Sequence, residues 1–252
     1  MLGALDGFDT LEPVSFNEMP ELEKWVAARL FELDKKITEK VNMYDFHSIF
    51  TELHDFCNSD LSAFYFDIRK DMLYCDKLNN LSRRAALTMM DMCFKSLVAW
   101  IAPILCFTAD EAWLAYTKNT DDSIHLREYQ NIPSEWKNSE LIRKWMNIRS
   151  IRSEVTTAIE NARSESKIGG SLQASVNLSL KEEEKKLLLG IDLPALFITS
   201  EAKIVSDRAL KTRVEIHLAA GEKCARCWKV LPEVKVNHGL CNRCEEVVHE
   251  KV

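Results

Sequence analysis

The sequence predicts a mainly α-helical protein with a small α+β part. The expected order is an antiparallel helical bundle, a long helix, a compact α+β unit and a four-cysteine zinc knuckle. Three observations carry this. Apolar residues recur at helical spacing over most of the first 115 positions, the period switches from 3.6 to 2 after Gly169-Gly170, and four of the eight cysteines crowd into the last 30 residues. The segments are residues 1–16 as a lead-in, 17–118 as the bundle, 119–170 as a connector and basic helix, 171–219 as the α+β unit, and 220–252 as the zinc-binding tail.

In the first helix, over residues 20–42, Leu22, Trp25, Val26, Leu30, Leu33, Ile37 and Val41 share a face. Ser15 with Glu18 resembles a capping box, and Pro20 suits a first helical turn. A second helix is expected from about Asp45 to Ile68, with Phe46, Ile49, Phe50, Leu53, Cys57, Leu61, Phe64, Tyr65 and Ile68 as its apolar stripe. A third starts after Ser82, passes through Ala86, Met90, Cys93, Leu97 and Ile101, and ends or kinks at Pro103. Thr108 with Glu111 makes a capping-box start for a short helix through Trp113. Amphipathic helices joined by short connections pack as an antiparallel bundle.

Thr117 to Asn138 is polar and weakly patterned. A helix over 139–165 then turns Leu141, Trp145, Ile148, Ile151, Val155, Ile159 and Ala162 one way and Arg143, Lys144, Arg149, Arg152 and Arg163 outward. That outward face is either solvated or meets RNA. From Ser171 to Leu180 every even position is apolar and every odd one polar, the pattern of a half-buried strand. A helix over Lys181–Leu189 closes at Gly190. Short strands near Leu196–Thr199 and Ala202–Val205, and one through Val214, Ile216 and Leu218, complete the unit.

Composition narrows the function classes. With 46% hydrophobic and 29% charged residues, and only seven glycines and six prolines, the chain is globular rather than low-complexity. The net charge is −6, and residues 1–70 hold 14 Asp/Glu against 7 Lys/Arg. That balance excludes a general nucleic-acid-coating protein, which needs clustered Lys/Arg, but leaves room for a local basic face. The longest apolar stretch, Leu97 to Phe107, covers 11 residues and contains Pro103, well short of the roughly 20 needed to span a bilayer. No signal peptide opens the chain, so a soluble cytoplasmic protein is expected. Cys57, Cys75, Cys93 and Cys106 stand among apolar neighbours and are expected to be small buried side chains.

The motif with chemistry is Cys224-Ala-Arg-Cys227, thirteen residues, then Cys241-Asn-Arg-Cys244. Two C-x-x-C pairs at this separation have the spacing of a four-cysteine zinc knuckle or ribbon. Four thiolates close the shell, so the zinc would be structural and would supply folding energy to a tail with little core of its own. His238 and His249 lie near, but the thiolates already complete the coordination. His47 and His54 are seven apart on one helix, too far for a shared metal. No GxxxxGK[ST], GxGxxG or HExxH is present, so the parts are those of a binding module.

Several strings carry a resemblance. They are Tyr44-Asp45-Phe46-His47, the run from Asp55 to Ser62, Phe66-Asp67-Ile68-Arg69-Lys70-Asp71-Met72-Leu73-Tyr74-Cys75, Ser82-Arg83-Arg84-Ala85, and the run from Ile101 to Trp113. Together they resemble the anticodon-binding helical domain of class I aminoacyl-tRNA synthetases. With the terminal four-cysteine motif, the chain is similar to the C-terminal portion of the bacterial isoleucyl-tRNA synthetase family. No HIGH-type sequence or KMSKS loop is present, so the resemblance implies a tRNA-recognition piece that is catalytically inactive by itself. Its first residues would lead from a catalytic core that joins isoleucine to tRNA with ATP and Mg²⁺. The implied partner is the anticodon region of an isoleucine-accepting tRNA, with neither membrane nor DNA as a target and the chain a monomer. A free-standing helical zinc adaptor for RNA or protein is the alternative.

Anticodon bases are unstacked, and proteins read them by base-edge hydrogen bonds and by stacking on aromatic or Arg planes, with basic contacts to the flanking phosphates. On this reading Arg69 and Lys70, where the second helix ends, Lys77 in the loop, and Arg83 and Arg84 at the start of the third helix converge on tRNA. Arg226, Trp228, Lys229 and Arg243 would do so from the zinc knuckles. Each cation could instead be a solvated charge or an internal ion pair, with Asp67 and Asp71 the obvious competitors for Arg69.

Overall fold

The computed structural model describes residues 1–8, 11–206, 212–234 and 239–249. The chain packs as two compact units, one built from Met1–Asp67 with Leu78–Ile142 and the other from Ile68–Lys77 with residues from Arg143 onward. The packing boundaries therefore differ from the segments drawn on the sequence. Residues 68–77, at the end of the second helical stretch, belong with the zinc-binding tail.

The first unit opens with the short helix α1 (Leu2–Leu5), then α2 (Glu21–Asn42), α3 (Phe46–Asp55), α5 (Leu81–Ile101) and α6 (Cys106–Thr117); α4 (Asp67–Cys75) carries the chain into the second unit. Its core draws Trp25, Leu30 and Ile37 from α2, Ile49 and Leu53 from α3, and Met89, Cys93 and Trp100 from α5. Trp25 meets Phe64 edge to face, with ring centroids 5.2 Å apart. Two buried carboxylates are matched: Tyr65 donates its hydroxyl to Glu23 (3.1 Å), and Arg29 joins Asp60 (2.9 Å) to Glu32 (2.6 Å).

Local caps differ from expectation. The Ser15 hydroxyl does bond Glu18 (2.5 Å), but this closes a 3₁₀ turn over Phe16–Glu18, and Pro20 stands as the N-cap of α2. Asn80 rather than Ser82 starts α5, accepting from the Arg83 N–H at 3.2 Å. Helix α6 starts at Cys106, ahead of Thr108, and Asp110 turns outward to hold the Ser123 hydroxyl (2.7 Å) and the Ile124 N–H (3.1 Å) of the connector.

The second helical stretch runs on to Cys75, past the expected end at Ile68, and Phe56–Phe66 within it winds as a π-helix. Such long π runs are rare, and their wider turns rotate the buried face. Phe56, Asp60, Leu61, Phe64 and Tyr65 point inward, and Cys57 is exposed, contrary to expectation. Cys106, at the exposed start of α6, is also outside, whereas Cys75 and Cys93 are buried as expected.

In the second unit, α7 (Ser139–Ser164), whose first residues still belong to the first unit, buries Trp145, Ile148, Ile151, Val155, Ile159 and Ala162. Arg152 is not an outward cation; its guanidinium donates to the Leu196 carbonyl at 2.9 Å. Arg163 pairs with Glu160 at 2.8 Å. A three-stranded sheet has the order β2 (Glu201–Ser206), β1 (Ala174–Ser179), β3 (Arg213–Leu218), with β1 parallel to β2 and antiparallel to β3. Between β1 and β2 lie α8 (Glu182–Leu187) and α9 (Leu193–Phe197).

Helix α9 replaces the strand expected near Leu196–Thr199. Asp192 caps the Ala195 N–H at 3.1 Å and Pro194 sits in the first turn, a start signal that outweighs a short apolar run. The tail adds the two-stranded β4 (Glu222–Lys223) and β5 (Val230–Leu231) and then α10 (Asn242–His249). Gly221 has φ +112°, and a Cβ there would meet the Leu231 carbonyl at 2.3 Å. Gly221→Ala is therefore expected to weaken the tail by about 1–3 kcal/mol through backbone strain, read as faster loss of zinc to a chelator than in the unsubstituted chain. Among the described residues, no helix is long and apolar enough to cross a membrane.

Candidate metal centre and nucleic-acid interface

Cys224 follows β4, Cys227 lies in the turn leading to β5, and Cys241 and Cys244 sit at the start of α10. The four sulfurs all lie within 4.8 Å of one another, and all four residues are buried. Cys227 Sγ and Cys241 Sγ are 3.7 Å apart. A tetrahedral zinc with bonds of about 2.3 Å requires sulfur separations of about 3.8 Å, so the set fits the ion.

The backbone braces it: Cys224 N–H donates to the Lys229 carbonyl (2.9 Å), Trp228 N–H to the Cys224 carbonyl (3.0 Å), and Cys241 N–H to Cys224 Sγ (3.3 Å). Burial opposes ionisation of Cys224, but N–H groups of Cys227, Cys241 and Arg226 aimed at its sulfur prevail and hold the thiol down at about 6. Burial pushes the other three up, with neighbouring sulfur charge adding to the rise. A cation among them removes that repulsion. Four protein ligands leave no open position, so the centre is suited to holding the tail and not to catalysis. His249 is exposed and lies 3.8 Å from Glu245; His238 falls outside the described residues.

The tail rests on α4. Cys75 packs in one buried cluster with the four cysteines, together with Val234. Burial, with the Asp71 charge beside it, pushes the Cys75 thiol up to about 12 and keeps it neutral. Arg226 donates to the carbonyls of Cys75 (2.6 Å) and Tyr74 (3.0 Å). Arg243 grips Asp71 with two bonds (2.7 and 2.8 Å) and reaches Asp76 at 3.0 Å, while Lys229 stands 3.7 Å from Asp71. Burial alone would raise the Asp71 carboxyl; Arg243, helped by Lys229, outweighs it and holds the group below the usual carboxylate range.

The nine residues assigned to RNA from the sequence thus fall into different settings. Arg226, Lys229 and Arg243 are turned inward onto α4. Arg84 donates to the Glu12 carbonyl at 2.9 and 3.3 Å in the first unit, and Lys77 lies 3.7 Å from Glu246 in the second. Arg69 and Arg83 are half-buried, and Asp71, an expected competitor for Arg69, is held by the tail. Lys70 is exposed.

Trp228 is 60% exposed, in the left-handed region at φ 66°, with the Lys223 ammonium 5.6 Å from its ring. The Trp228 N–H bond to the Cys224 carbonyl, closing the turn that carries the first two cysteines, holds the backbone in this conformation. Tyr74, 65% exposed, is a further outward side chain that the pattern of cations does not mark; it lies four residues after Lys70 on α4 and so shares its face. Its position in a helix ending in a cysteine that packs on the metal centre was the available signal.

The anticodon-binding domain of tRNA ligase matches residues 23–178, and the zinc finger found in FPG and IleRS matches residues 221–247. The chain is 45% identical to the isoleucine–tRNA ligase of Gluconobacter oxydans (strain 621H), over 98% of its own length and 26% of that protein's. It is 42% identical to the isoleucine–tRNA ligase of Zymomonas mobilis subsp. mobilis over 99% of its length and 27% of the relative's, and 42% identical to that of Agrobacterium fabrum over 93% and 25%. The chain spans about a quarter of the length of the curated relatives it matches. With a helical first unit, and a four-thiol tail seated on the helix that carries the D-I-R-K-D-x-L-Y-C string, this chain belongs to the family of anticodon-binding domains of tRNA ligases.

Proposed function

We propose that the chain recognises the anticodon arm of an isoleucine-accepting tRNA as the recognition part of a cytoplasmic isoleucine–tRNA ligase, with one structural zinc held by Cys224, Cys227, Cys241 and Cys244. The match of the anticodon-binding domain over residues 23–178 is the observation that carries this reading. ATP and Mg²⁺ chemistry would belong to parts of such a ligase outside this chain, which is expected to act as a monomer and to give no isoleucine-dependent pyrophosphate exchange.

In this reading the contacts come first from the side chains that point outward. Trp228 offers a stacking surface on a backbone fixed by the metal centre, and Lys70 offers a cation to phosphate. Arg69, Lys77, Arg83 and Arg84 supply further positive potential, each from within its own contacts. Arg226, Lys229 and Arg243 act at closer remove, beneath the surface that meets RNA.

Binding of cognate tRNA at two salt concentrations tests this. Trp228→Ala, with zinc content intact, is expected to cost about 1–3 kcal/mol with an unchanged salt slope. Lys70→Glu is expected to weaken all tRNAs alike and lower the slope by about one. Equal binding by both variants and the unsubstituted chain would contradict the assignment.

A further inference from the structure

An α-helix leaves its last carbonyls without intrahelical donors, and these are met by a cap, by water or by a side chain. Helix α4 ends at Cys75, and the donor to its Tyr74 and Cys75 carbonyls is Arg226, which lies between two of the zinc ligands in sequence. One turn earlier, Asp71 is gripped by Arg243, which lies between the other two, and Arg243 also reaches Asp76 just past the helix end. Each C-x-x-C pair therefore sends its third residue to the same helix terminus. An arginine at a helix C-terminus also meets the negative end of the helix dipole, and bidentate contacts to carboxylate are among the stronger protein hydrogen bonds.

We propose that Arg226 and Arg243 are positioning residues through which metal binding in the tail caps α4 and orders its last turn. A metal held by the four cysteines would order the two segments that carry them, whose buried cluster is mainly those cysteines, and so fix both guanidiniums against α4. The end of α4 that they hold presents Tyr74, and one turn before it Lys70, on one exposed face. The capping role needs no RNA; only its consequence for binding rests on the tRNA reading.

Hydrogen exchange of the full chain over residues 70–77 tests the cap. Chelating the zinc is expected to speed exchange there, and Arg226→Gln and Arg243→Gln are expected to do so at full zinc content, each by about tenfold, equivalent to one lost charge-assisted hydrogen bond. Arg243→Lys, which keeps the charge and one contact, is expected to restore part of the protection. Unchanged exchange in both glutamine variants overturns the proposal even if chelation has an effect. Loss of zinc from both overturns it too, because the arginines would then serve the metal centre and not the helix.

Salt dependence of tRNA binding separates this role from phosphate contact. Arg243→Gln is expected to weaken binding with the slope unchanged, and a slope lowered by about one would place Arg243 on a phosphate and contradict the positioning role. If the unsubstituted chain binds no tRNA, the tRNA reading fails while the exchange result still decides the cap.

Discussion

Cys241→Ser is expected to drop the zinc content from one per chain to near zero and to unfold the tail while the first unit stays helical. A serine hydroxyl is a poor zinc ligand at neutral pH, and three thiolates leave the shell open. Apparent binding free energies of structural zinc are about 10–16 kcal/mol at neutral pH, so the tail loses most of what folds it. It has little else, since its buried cluster consists mainly of the four cysteines with Cys75 and Val234. The first unit has a core of its own around Trp25, Leu30, Ile49 and Met89. Metal analysis with far-ultraviolet circular dichroism reads both halves of the expectation. An unchanged metal-to-protein ratio would remove Cys241 from the ligand set.

Trp25→Ala is expected to do the opposite. Trp25 is 2% exposed and meets Phe64 edge to face at 5.2 Å, so its removal leaves a large void between α2 and the π-helical stretch. Large aromatic-to-alanine changes in a core cost about 3–5 kcal/mol. Thermal unfolding followed at the helical signal should shift down sharply, while the zinc content stays at one per chain because the ligands lie in the other unit. Loss of zinc in this variant would mean that the tail depends on the core of the first unit, contrary to its having its own metal-centred cluster.

The parts of the fold that bury an unbroken stripe were legible in the sequence. The repeats along α2 and α7 name the buried faces, with Val41 and Leu141 at their ends only half-buried, because burying such a stripe admits one orientation; α5 is buried on nearly every side, and in β1 Ser175 joins the even-numbered apolar residues inside. The four cysteines were legible from spacing alone, since metal geometry dictates it.

Three features were not legible, for different reasons. A 3.6 period puts Cys57 inside, whereas the π turns from Phe56 to Phe66 bring Phe56 there in its place; nothing in a hydrophobic stripe marks a change of winding. The strand expected near Leu196 became α9 because a local signal, Asp192 before Pro194, decides short segments more strongly than apolarity does. The cations were least legible. Arg226 and Arg243 look like RNA-facing charges in a motif, and only the fold shows that Asp71 and the end of α4 lie within their reach, more than 150 positions away in sequence.

The most direct test of anticodon recognition compares two tRNAs that differ only in the anticodon. The full chain with zinc bound, titrated with an isoleucine-accepting tRNA and with the same tRNA carrying an exchanged anticodon, is expected to bind the first more tightly by about tenfold, the discrimination that one or two base-edge hydrogen bonds supply. Trp228→Ala should weaken both and leave the gap, since stacking tolerates any base. Equal affinities for the two tRNAs at both low and high salt would show that the chain holds the RNA backbone without reading its anticodon, and would contradict the proposed function.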